Sequence, residues 1–459
     1  MLFSSVSFIY LFLPIVLMLY FASPKKLKNA VLLLSSLLFY FMGEPIYILL
    51  LIFSSVSDFL HSLFIEKLRG TNKAKLLLIS SVAINLLMLG FFKYADFFIG
   101  LSNSALGTNI PLLNIPLPIG ISFFTFQTMS YSIDVYKGEV PANKNILDFG
   151  TYVCLFPQLI AGPIVRYKDV EGELKNRKHT AQNVSDGLTR FAVGLGKKVI
   201  LANMLAEFTV HFRASSPSTF FYWCYAIFYF LQVYFDFSGY SDMAIGIGKI
   251  LGFNFPENFN YPIISKSLSE FWRRWHQTLG TWFRDYVYFP LGGSRVGKIK
   301  LIRNLFIVWL LTGLWHGASI NFVLWGLFFF VMLSLEKLFL QKALDRLPKI
   351  ISHMYALFFV LLSFVIFGAE NTAGLISDLK GMFSGELPFV NGETLYYLKS
   401  YLPVLLLAIL GATPVCKHFA LKISRKAPYL EPLFVTVVLL VCTALLVNGS
   451  FNPFLYFRF

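Results

Sequence analysis

Long apolar stretches separated by short polar connectors follow one another along the whole chain. A helix needs about 20 apolar residues to cross the hydrocarbon core of a bilayer, and these stretches approach or reach that length. They lie near residues 3–22, 28–43, 45–65, 75–99, 118–136, 187–210, 218–235, 300–316, 319–337, 350–368, 396–412 and 430–449. The connectors leave no room for a soluble domain. The pattern predicts an all-α, polytopic membrane protein in which residues 1–459 form a single integral membrane domain.

Basic residues are concentrated in some of the connectors, and loops rich in lysine and arginine stay on the cytoplasmic side. They cluster at Lys25–Lys28, at Glu66–Lys75 and at Lys417–Lys426. The loop Glu370–Ser400 has no excess of positive charge, so we expect it to lie outside together with the N-terminus and Phe459. The first apolar stretch lacks a basic start and a cleavage site, which indicates a retained span rather than a signal peptide.

Two apolar segments contain residues that interrupt helices. Leu155–Pro163 carries two prolines and a glycine, and proline removes an amide donor and clashes with the preceding turn. Irregular backbone at membrane depth is tolerated only inside protein or beside water. We therefore expect this segment to re-enter the membrane and line a cavity. Leu117–Gly120 should begin a second cavity-lining helix.

The composition supports the membrane assignment. Hydrophobic residues make up 56% of the chain and charged residues 14%, whereas a soluble domain is about 25% charged. The net charge is +15, but the basic residues lie between apolar spans, which argues against nucleic-acid binding. The four cysteines have no metal-binding spacing, so we expect buried apolar side chains rather than a disulfide framework or a metal site.

Two Trp-His dipeptides, Trp275-His276 and Trp315-His316, flank one apolar helix. His316 ends a span that starts near Arg303, and at 1.5 Å per residue it lies about 20 Å further along the axis. A structural histidine bonded to a neighbouring carbonyl is the alternative. Because burying a polar side chain in a membrane is costly, we favour a functional role and interpret the two dipeptides as two ends of one reaction site.

The segment Ser267–Glu270 has the sequence of a capping box, which predicts a helix that begins near Leu268 and ends at Gly280. On that helix His276 would lie at the edge of an apolar face, and Arg273 would point elsewhere. The apolar face would consist of Phe271, Trp272, Trp275 and Leu279. An interfacial helix with aromatic anchors describes this segment as a whole. It does not account for a histidine at the buried edge, so both interpretations can hold.

Polar side chains recur at helical spacing within other apolar segments. They are Gln127, Tyr131 and Asp134 in one segment and Gln232 and Asp236 in another. A carboxylate inside a span needs a partner, for which the candidates are Arg190, Lys197, Lys198, Arg273 and Arg284. Two interpretations stay open: a buried ion pair that keeps broken helices in register, and a role in substrate binding.

The motifs of several familiar enzyme classes are missing from the sequence. It contains no glycine-rich phosphate loop, no His-Glu-x-x-His metal motif and no serine in a nucleophile elbow. We therefore predict no metal ion, and general acid–base chemistry on histidine with an acyl group that has been activated elsewhere.

The collected motifs resemble those of the membrane-bound O-acyltransferase (MBOAT) family, in the bacterial branch that O-acetylates polysaccharides such as alginate. The resemblance covers essentially the whole chain. The matching stretches are Leu117–Phe123, Phe156–Ile164, Tyr234–Met243, Pro256–Asn260, Glu270–His276, Trp282–Tyr286, Leu314–Gly317 and Phe451–Phe457.

This resemblance implies a ring of roughly 11 to 13 transmembrane and re-entrant helices around a central pore. It implies that the histidine of Leu-Trp-His-Gly, here His316, is catalytic, and that His276 lies on the donor side. We expect the tunnel for donor and substrate to be lined by Trp272, Trp275, Arg273, Arg284, Asp236, Gln232 and Trp315.

The same branch modifies polymers outside the cytoplasm. The resemblance therefore implies transfer of an acyl group, most simply acetyl, from a cytoplasmic thioester such as acetyl-CoA to an exopolysaccharide or peptidoglycan. His316 would be the general base, with no cofactor held by the protein. An extracytoplasmic partner of the SGNH type is implied, as is a location in the bacterial cytoplasmic membrane. Transfer of D-alanine by the same machinery, or a non-catalytic exporter, are the alternatives.

Overall fold

The computed structural model describes residues 2–160, 162–215 and 217–449. Within these ranges every regular element is a helix, which confirms the predicted all-α class. The motif at Phe451–Phe457, the chain end at Phe459 and Ala161 of the interrupted segment lie outside the described residues.

The helices follow one another in the order that the apolar pattern predicts. The first ten α-helices are α1 (Leu13–Ala22), α2 (Lys28–Phe41), α3 (Ile48–Lys67), α4 (Asn72–Leu106), α5 (Ile121–Lys137), α6 (Ile146–Cys154), α7 (Phe156–Leu159), α8 (Tyr167–Lys175), α9 (Ala181–Gly196) and α10 (Asn203–Ala214). The next are α11 (Thr219–Ile250), α12 (Leu268–Arg274), α13 (Gln277–Phe283), α14 (Lys298–His316), α15 (Ile320–Leu335), α16 (Gln341–Leu344), α17 (Lys349–Gly368), α18 (Thr372–Phe383), α19 (Gly392–Gly411), α20 (Val415–Lys426) and α21 (Leu430–Asn448). Short π-helical or 3-10 turns occupy Phe8–Phe12, Lys25–Leu27, Lys197–Ala202, Pro262–Ile264, Arg284–Tyr288 and Glu336–Leu340.

Six helices in the described part of the chain are long and apolar enough to cross a membrane, which confirms a polytopic membrane protein. They are Ile48–Lys67, Asn72–Leu106, Ile320–Leu344, Lys349–Gly368, Gly392–Gly411 and Leu430–Asn448. The other apolar segments of the prediction also fold as helices but are not among these six. The ring around a central pore stays a prediction.

The interrupted segment is broken as predicted. Helix α6 ends at Cys154, α7 lasts for a single turn, and helical structure resumes only at Tyr167. Gly120, which precedes α5, has a left-handed backbone with φ 77°. A Cβ atom at Gly120 would lie 2.4 Å from the carbonyl oxygen of Leu159, so only glycine fits where the two segments touch. The expectation that these two segments line a cavity stays a prediction.

The chain divides into two compact units, and the prediction of a single domain over residues 1–459 stays a prediction. One unit comprises Met1–Phe191 and Ser241–Pro256, and the other comprises Ala192–Tyr240 and Glu257–Phe459. In the first unit Phe156 of α7 is fully buried, with its ring 5.5 Å from that of Phe12 and 5.7 Å from that of Phe39. This aromatic packing anchors the broken segment to the N-terminal helices.

The second unit has an aromatic core that surrounds both Trp-His dipeptides. Phe208 and Phe228 stack with ring centroids 3.7 Å apart on α10 and α11. Further along, Trp275 and Trp325 are buried in the same core. All side chains of the candidate site described below belong to this unit.

Candidate active site

The segment that leads to His276 begins as predicted and ends earlier. Helix α12 starts at Leu268, and the Ser267 hydroxyl accepts a hydrogen bond from the Glu270 amide at 3.0 Å. The buried Glu336 carboxylate accepts two more hydrogen bonds at this end of the helix, from the backbone amide of Leu268 at 2.6 Å and from that of Ser269 at 2.8 Å. Together these acceptors satisfy amides that have no partner inside the helix.

The prediction that this helix continues to Gly280 is wrong. Helix α12 ends at Arg274, and α13 begins at Gln277 after a turn. A neighbouring irregular segment, residues 258–260, holds this turn through two backbone hydrogen bonds. The Asn260 amide donates to the Arg274 carbonyl, and the Gln277 amide donates to the Asn258 carbonyl, both at 2.9 Å. These bonds satisfy backbone groups that the helix would otherwise pair, so the predicted continuous apolar face does not form.

His276 occupies this turn and has a backbone conformation that is rare for a residue with a side chain. Its φ of 43° and ψ of 53° lie in the left-handed region. Such strain persists only where the surrounding structure holds it, and it is concentrated at functional sites. The side chain is 1% exposed.

The two nitrogens of the His276 ring have different surroundings. Nδ1 lies 2.9 Å from Oδ1 of Asn258, and the same oxygen accepts a bond from the Thr278 hydroxyl at 2.9 Å. Nε2 is buried and has no hydrogen-bond partner among the described residues. The rings of Phe237 and Trp315 lie against the imidazole, with centroids 4.6 Å and 5.8 Å away.

The environment of His276 disfavours its charged form. Burial lowers the pKa of the imidazole well below its usual range, and positive charge on His316 lowers this pKa further. His276 lies outside the six candidate membrane helices. Its ring is therefore neutral at neutral pH, which is the form that can accept a proton.

His316 is the last residue of α14 and is 7% exposed. Close backbone packing of α14 on α15 fixes its position, because Cβ atoms at Gly313 and Gly326 would each lie 2.4 Å from a carbonyl oxygen of the opposite helix. The imidazole contacts the rings of Trp325 and Phe367, with centroids 5.0 Å and 5.3 Å away. Aromatic side chains thus pack around the His316 ring.

Trp315 connects the two histidines. Its ring centroid is 5.8 Å from that of His276 and 5.0 Å from that of His316. Residues 40 positions apart in the sequence therefore meet at one indole. That they form one reaction site stays a prediction. The catalytic roles of the two histidines stay predictions.

The other tryptophans of the predicted tunnel lie in the same aromatic core. The Trp275 ring stacks on Phe271 at 5.4 Å and meets Phe364 edge-on at 5.3 Å. Trp272 lies 5.5 Å from Trp325, which in turn contacts His316. The indole nitrogens of Trp272 and Trp325 are buried without a hydrogen-bond partner in the part of the chain that the structure describes.

The structure does not bring the predicted arginines to this core. Arg273 and Arg284 are exposed, and Arg284 forms an ion pair with Asp285 at 2.8 Å. Gln232 and Asp236 are buried on α11. The Thr209 hydroxyl donates to the Gln232 side chain at 3.2 Å. A role of these four residues in a tunnel stays a prediction.

Two of the candidate partners form ion pairs with carboxylates of α11. Lys198 lies 2.7 Å from Asp236, with both side chains buried, and Arg190 lies 2.7 Å from Asp242. Asp134, which is fully buried in α5 together with Gln127 and Tyr131, has a partner that we did not anticipate. This partner is Lys168, at 3.4 Å.

Several residues of the site escaped the sequence analysis. They are Phe237, Asn258, Thr278, Trp325 and Phe367. Asn258 belongs to one of the motifs quoted above, but no spacing rule connects it to a histidine 18 positions later. Aromatic residues are so common in this chain that type alone could not single out the ones beside the histidines.

Known proteins match most of the chain. Residues 115–377 match the family model described as MBOAT, membrane-bound O-acyltransferase family. A probable alginate O-acetylase, AlgI, of Pseudomonas aeruginosa is 40% identical over 93% of this chain and 84% of its own length. A peptidoglycan O-acetyltransferase of Helicobacter pylori is 36% identical over 87% of this chain and 82% of its own. A teichoic acid D-alanyltransferase of Bacillus subtilis is 29% identical over 55% of this chain and 69% of its own.

Proposed function

We propose a function from the premise that this chain belongs to the membrane-bound O-acyltransferase family. The chain is a multi-pass membrane protein and an O-acyltransferase. Within that class we propose that it passes an acetyl group from a cytoplasmic thioester across the membrane for O-acetylation of an extracytoplasmic glycan. The observation that carries the proposal is the pair of buried histidines that meet at Trp315.

The choice of acetyl over other acyl groups rests on the relatives. The two relatives named for O-acetylation match 93% and 87% of this chain at 40% and 36% identity. The relative named for D-alanyl transfer matches 55% at 29% identity. Since one O-acetylation relative is named for alginate and the other for peptidoglycan, the acceptor we propose is an exopolysaccharide or peptidoglycan, without a choice between them.

In the proposed reaction His316 is the general base. Its neutral imidazole takes the proton of an acceptor hydroxyl while the hydroxyl oxygen attacks the thioester carbonyl. The carbon–sulfur bond then breaks, and the departing thiolate takes the proton from His316. The products are an O-ester and a free thiol. We assign His276 to the donor side, where its neutral ring is a second group that can accept a hydrogen bond.

The donor and the partner protein complete the proposal. An acyl thioester such as acetyl-CoA binds as a substrate from the cytoplasmic side, and no cofactor stays on the protein. The acceptor hydroxyl belongs either to the glycan or to an SGNH-type partner outside the cytoplasm that carries acetyl onward. The membrane is the cytoplasmic membrane of a bacterium, and its lipids surround the apolar helices.

Two alternatives differ from this proposal in measurable ways. Transfer of D-alanine would use the same histidines but would leave D-alanyl esters on a cell-wall polymer. A non-catalytic exporter would move polymer or acyl carrier without chemistry and would not need an imidazole at position 316.

The experiment is mass analysis of cell-surface glycans from cells with and without this chain. We expect O-acetyl esters to disappear in the deletion strain and to return with the wild-type chain but not with His316→Ala or His316→Gln. General-base catalysis contributes about 10²- to 10⁴-fold in rate, so the loss should be nearly complete. His418→Gln removes an exposed histidine and is the matched control.

The outcome also separates the alternatives. Normal acetylation by His316→Ala at unchanged protein level would overturn the role of His316 and favour the exporter. If the deletion strain loses D-alanyl esters and keeps its acetyl esters, the result would favour transfer of D-alanine.

A further inference from the structure

The hydrogen bonds around His276 determine which of its nitrogens carries the proton. The Thr278 amide lies 3.3 Å from Oδ1 of Asn258, and a backbone amide can only donate. The atom that it faces is therefore the oxygen of the Asn258 amide group rather than its nitrogen. This oxygen also lies 2.9 Å from Nδ1 of His276.

An amide oxygen has no proton to donate, so Nδ1 of His276 is the donor in this bond. In a neutral imidazole one nitrogen carries the proton and the other carries a lone pair. The lone pair is consequently on Nε2. Burial keeps the ring neutral, as its lowered pKa indicates.

The lone pair on Nε2 faces no protein donor in the described ranges 2–160, 162–215 and 217–449. Buried acceptors without a partner are rare in folded proteins, because an unmade hydrogen bond costs free energy. The left-handed backbone of His276 adds a second cost at the same residue. Two unfavourable features at one buried residue indicate that a bound ligand supplies the missing hydrogen bond to Nε2.

We propose that Asn258 is a positioning residue that locks His276 as the Nδ1–H tautomer, so that the lone pair of Nε2 accepts a hydrogen bond from a substrate during acyl transfer. The inference rests on the proposed function for the identity of that substrate, but the tautomer itself does not depend on it. A neutral amide suits this task, because a carboxylate at the same place would favour the charged imidazolium and remove the lone pair.

The electrostatic environment of His276 within the described residues includes a second histidine. His316 is the titratable group whose charge bears on it. The other side chains in contact, Asn258, Phe237 and Trp315, carry no charge. A carboxylate introduced at position 258 would therefore dominate the electrostatics of the ring.

The test uses the full-length protein in lipid nanodiscs, with nitrogen-15 in its histidine rings. The His276 signals are identified by their loss in His276→Gln. In the wild type we expect Nδ1 to have the chemical shift of a protonated nitrogen and Nε2 that of an unprotonated one at neutral pH. In Asn258→Asp the second nitrogen should become protonated at a higher pH than in the wild type, and in Asn258→Ala the two tautomers should mix.

A second measurement follows activity against pH. The probe is release of free thiol from acetyl-CoA in the presence of an alginate oligosaccharide. Asn258→Asp should move the acid limb of the kcat profile upward by about one pH unit or more, because a nearby opposite charge raises a histidine pKa. Asn258→Ala should lower kcat by about tenfold with little change in KM, as loss of one hydrogen bond predicts. Asn260→Asp, an exposed change on the same segment, should leave spectra and profile as in the wild type.

The two measurements separate two failures. If the wild type releases no thiol, acetyl-CoA and the alginate oligosaccharide are not its donor and acceptor, and the nitrogen spectra still decide the tautomer. If Nε2 carries the proton in the wild type, or if Asn258→Asp and Asn258→Ala leave both the spectra and the pH profile unchanged, the role of Asn258 is overturned.

Discussion

Trp275 is held by aromatic rings from several parts of the second unit. It is 5% exposed, and its ring lies 5.4 Å from Phe271, 5.2 Å from Phe259 and 5.3 Å from Phe364. Trp272 has a comparable place against Trp309, at 4.7 Å. Rings this densely packed contribute mainly through buried area and edge-to-face contacts.

We predict that Trp275→Phe is mild, whereas Trp275→Ala lowers stability by about 3 to 5 kcal/mol, because it leaves a large cavity. Trp272 should behave in the same way. The measurement is thermal unfolding of the purified protein in detergent, together with its yield from membranes. Trp275→Ala protein with normal yield and stability but no activity would instead indicate that the indole binds the donor directly.

At the scale of single residues, the sequence identified side chains by chemical type but not by neighbours. His276 and His316 stood out because histidine is costly near apolar spans. Asn258 did not stand out, because an asparagine in a connector has many ordinary uses in turns. Its importance comes from an oxygen placed 2.9 Å from an imidazole, and only the fold creates that distance.

At the scale of helices, α12 shows how far local rules extend. The Ser267 cap was predictable, since the hydroxyl and the amide of Glu270 are three residues apart. The end at Arg274 was not, because the backbone partners of the turn come from Asn258 and Asn260. A helix with good local propensity stops where tertiary hydrogen bonds replace its own.

Variants of the buried Lys198–Asp236 ion pair can show whether its charges hold the helices together or bind the substrate. Nζ of Lys198 lies 2.7 Å from Oδ1 of Asp236. The helical segments that carry these residues also touch nearby, since a Cβ atom at Gly239 would lie 2.7 Å from the Gly194 carbonyl oxygen. Breaking such a buried pair leaves an uncompensated charge, whereas replacing both partners with apolar side chains is often neutral or stabilising.

We predict that Lys198→Met alone lowers stability by about 3 to 5 kcal/mol and that adding Asp236→Leu restores most of it. Thermal unfolding of both variants measures this, with Lys197→Met, a less buried neighbour, as the control. Restored stability with restored acyl transfer would assign the pair to helix register. A stable but inactive double variant would assign Asp236 or Lys198 to the substrate.

At the scale of the whole molecule, the prediction concerns access to the two histidines from the two sides of the membrane. His276 follows a basic segment, and His316 ends a helix that begins at Lys298. We predict that a passage from the cytoplasm reaches His276 and a passage from outside reaches His316. Because both rings contact Trp315, the two passages would meet at a neck about one side chain thick.

Single cysteines test this arrangement in a background without the four native ones, of which only Cys416 is exposed. Gln277→Cys should react with a membrane-impermeant thiol reagent only from the cytoplasmic side, and Ala318→Cys only from outside. Both positions are partly exposed, so the reagent can reach them. Labelling of both cysteines from one side would contradict the two-sided passage and indicate a conventional active site that opens to one face.

The sequence by itself determined what depends on neighbours along the chain. Apolar length predicted the membrane helices, prolines and glycines predicted the break after Cys154, and Ser267 predicted the start of α12. These properties arise from the solvation of a segment and from the geometry of a few adjacent peptide groups, which local sequence encodes.

Tertiary structure decided everything that depends on distance between remote segments. The left-handed turn at His276, the indole shared by two histidines and the pairing of Asp134 with Lys168 belong to this class. Each of them arises where segments separated in the sequence pack closely enough for backbone groups or side chains to touch. Hydrogen bonds and ring contacts act over only a few ångströms, so residue order does not specify them until the helices have packed.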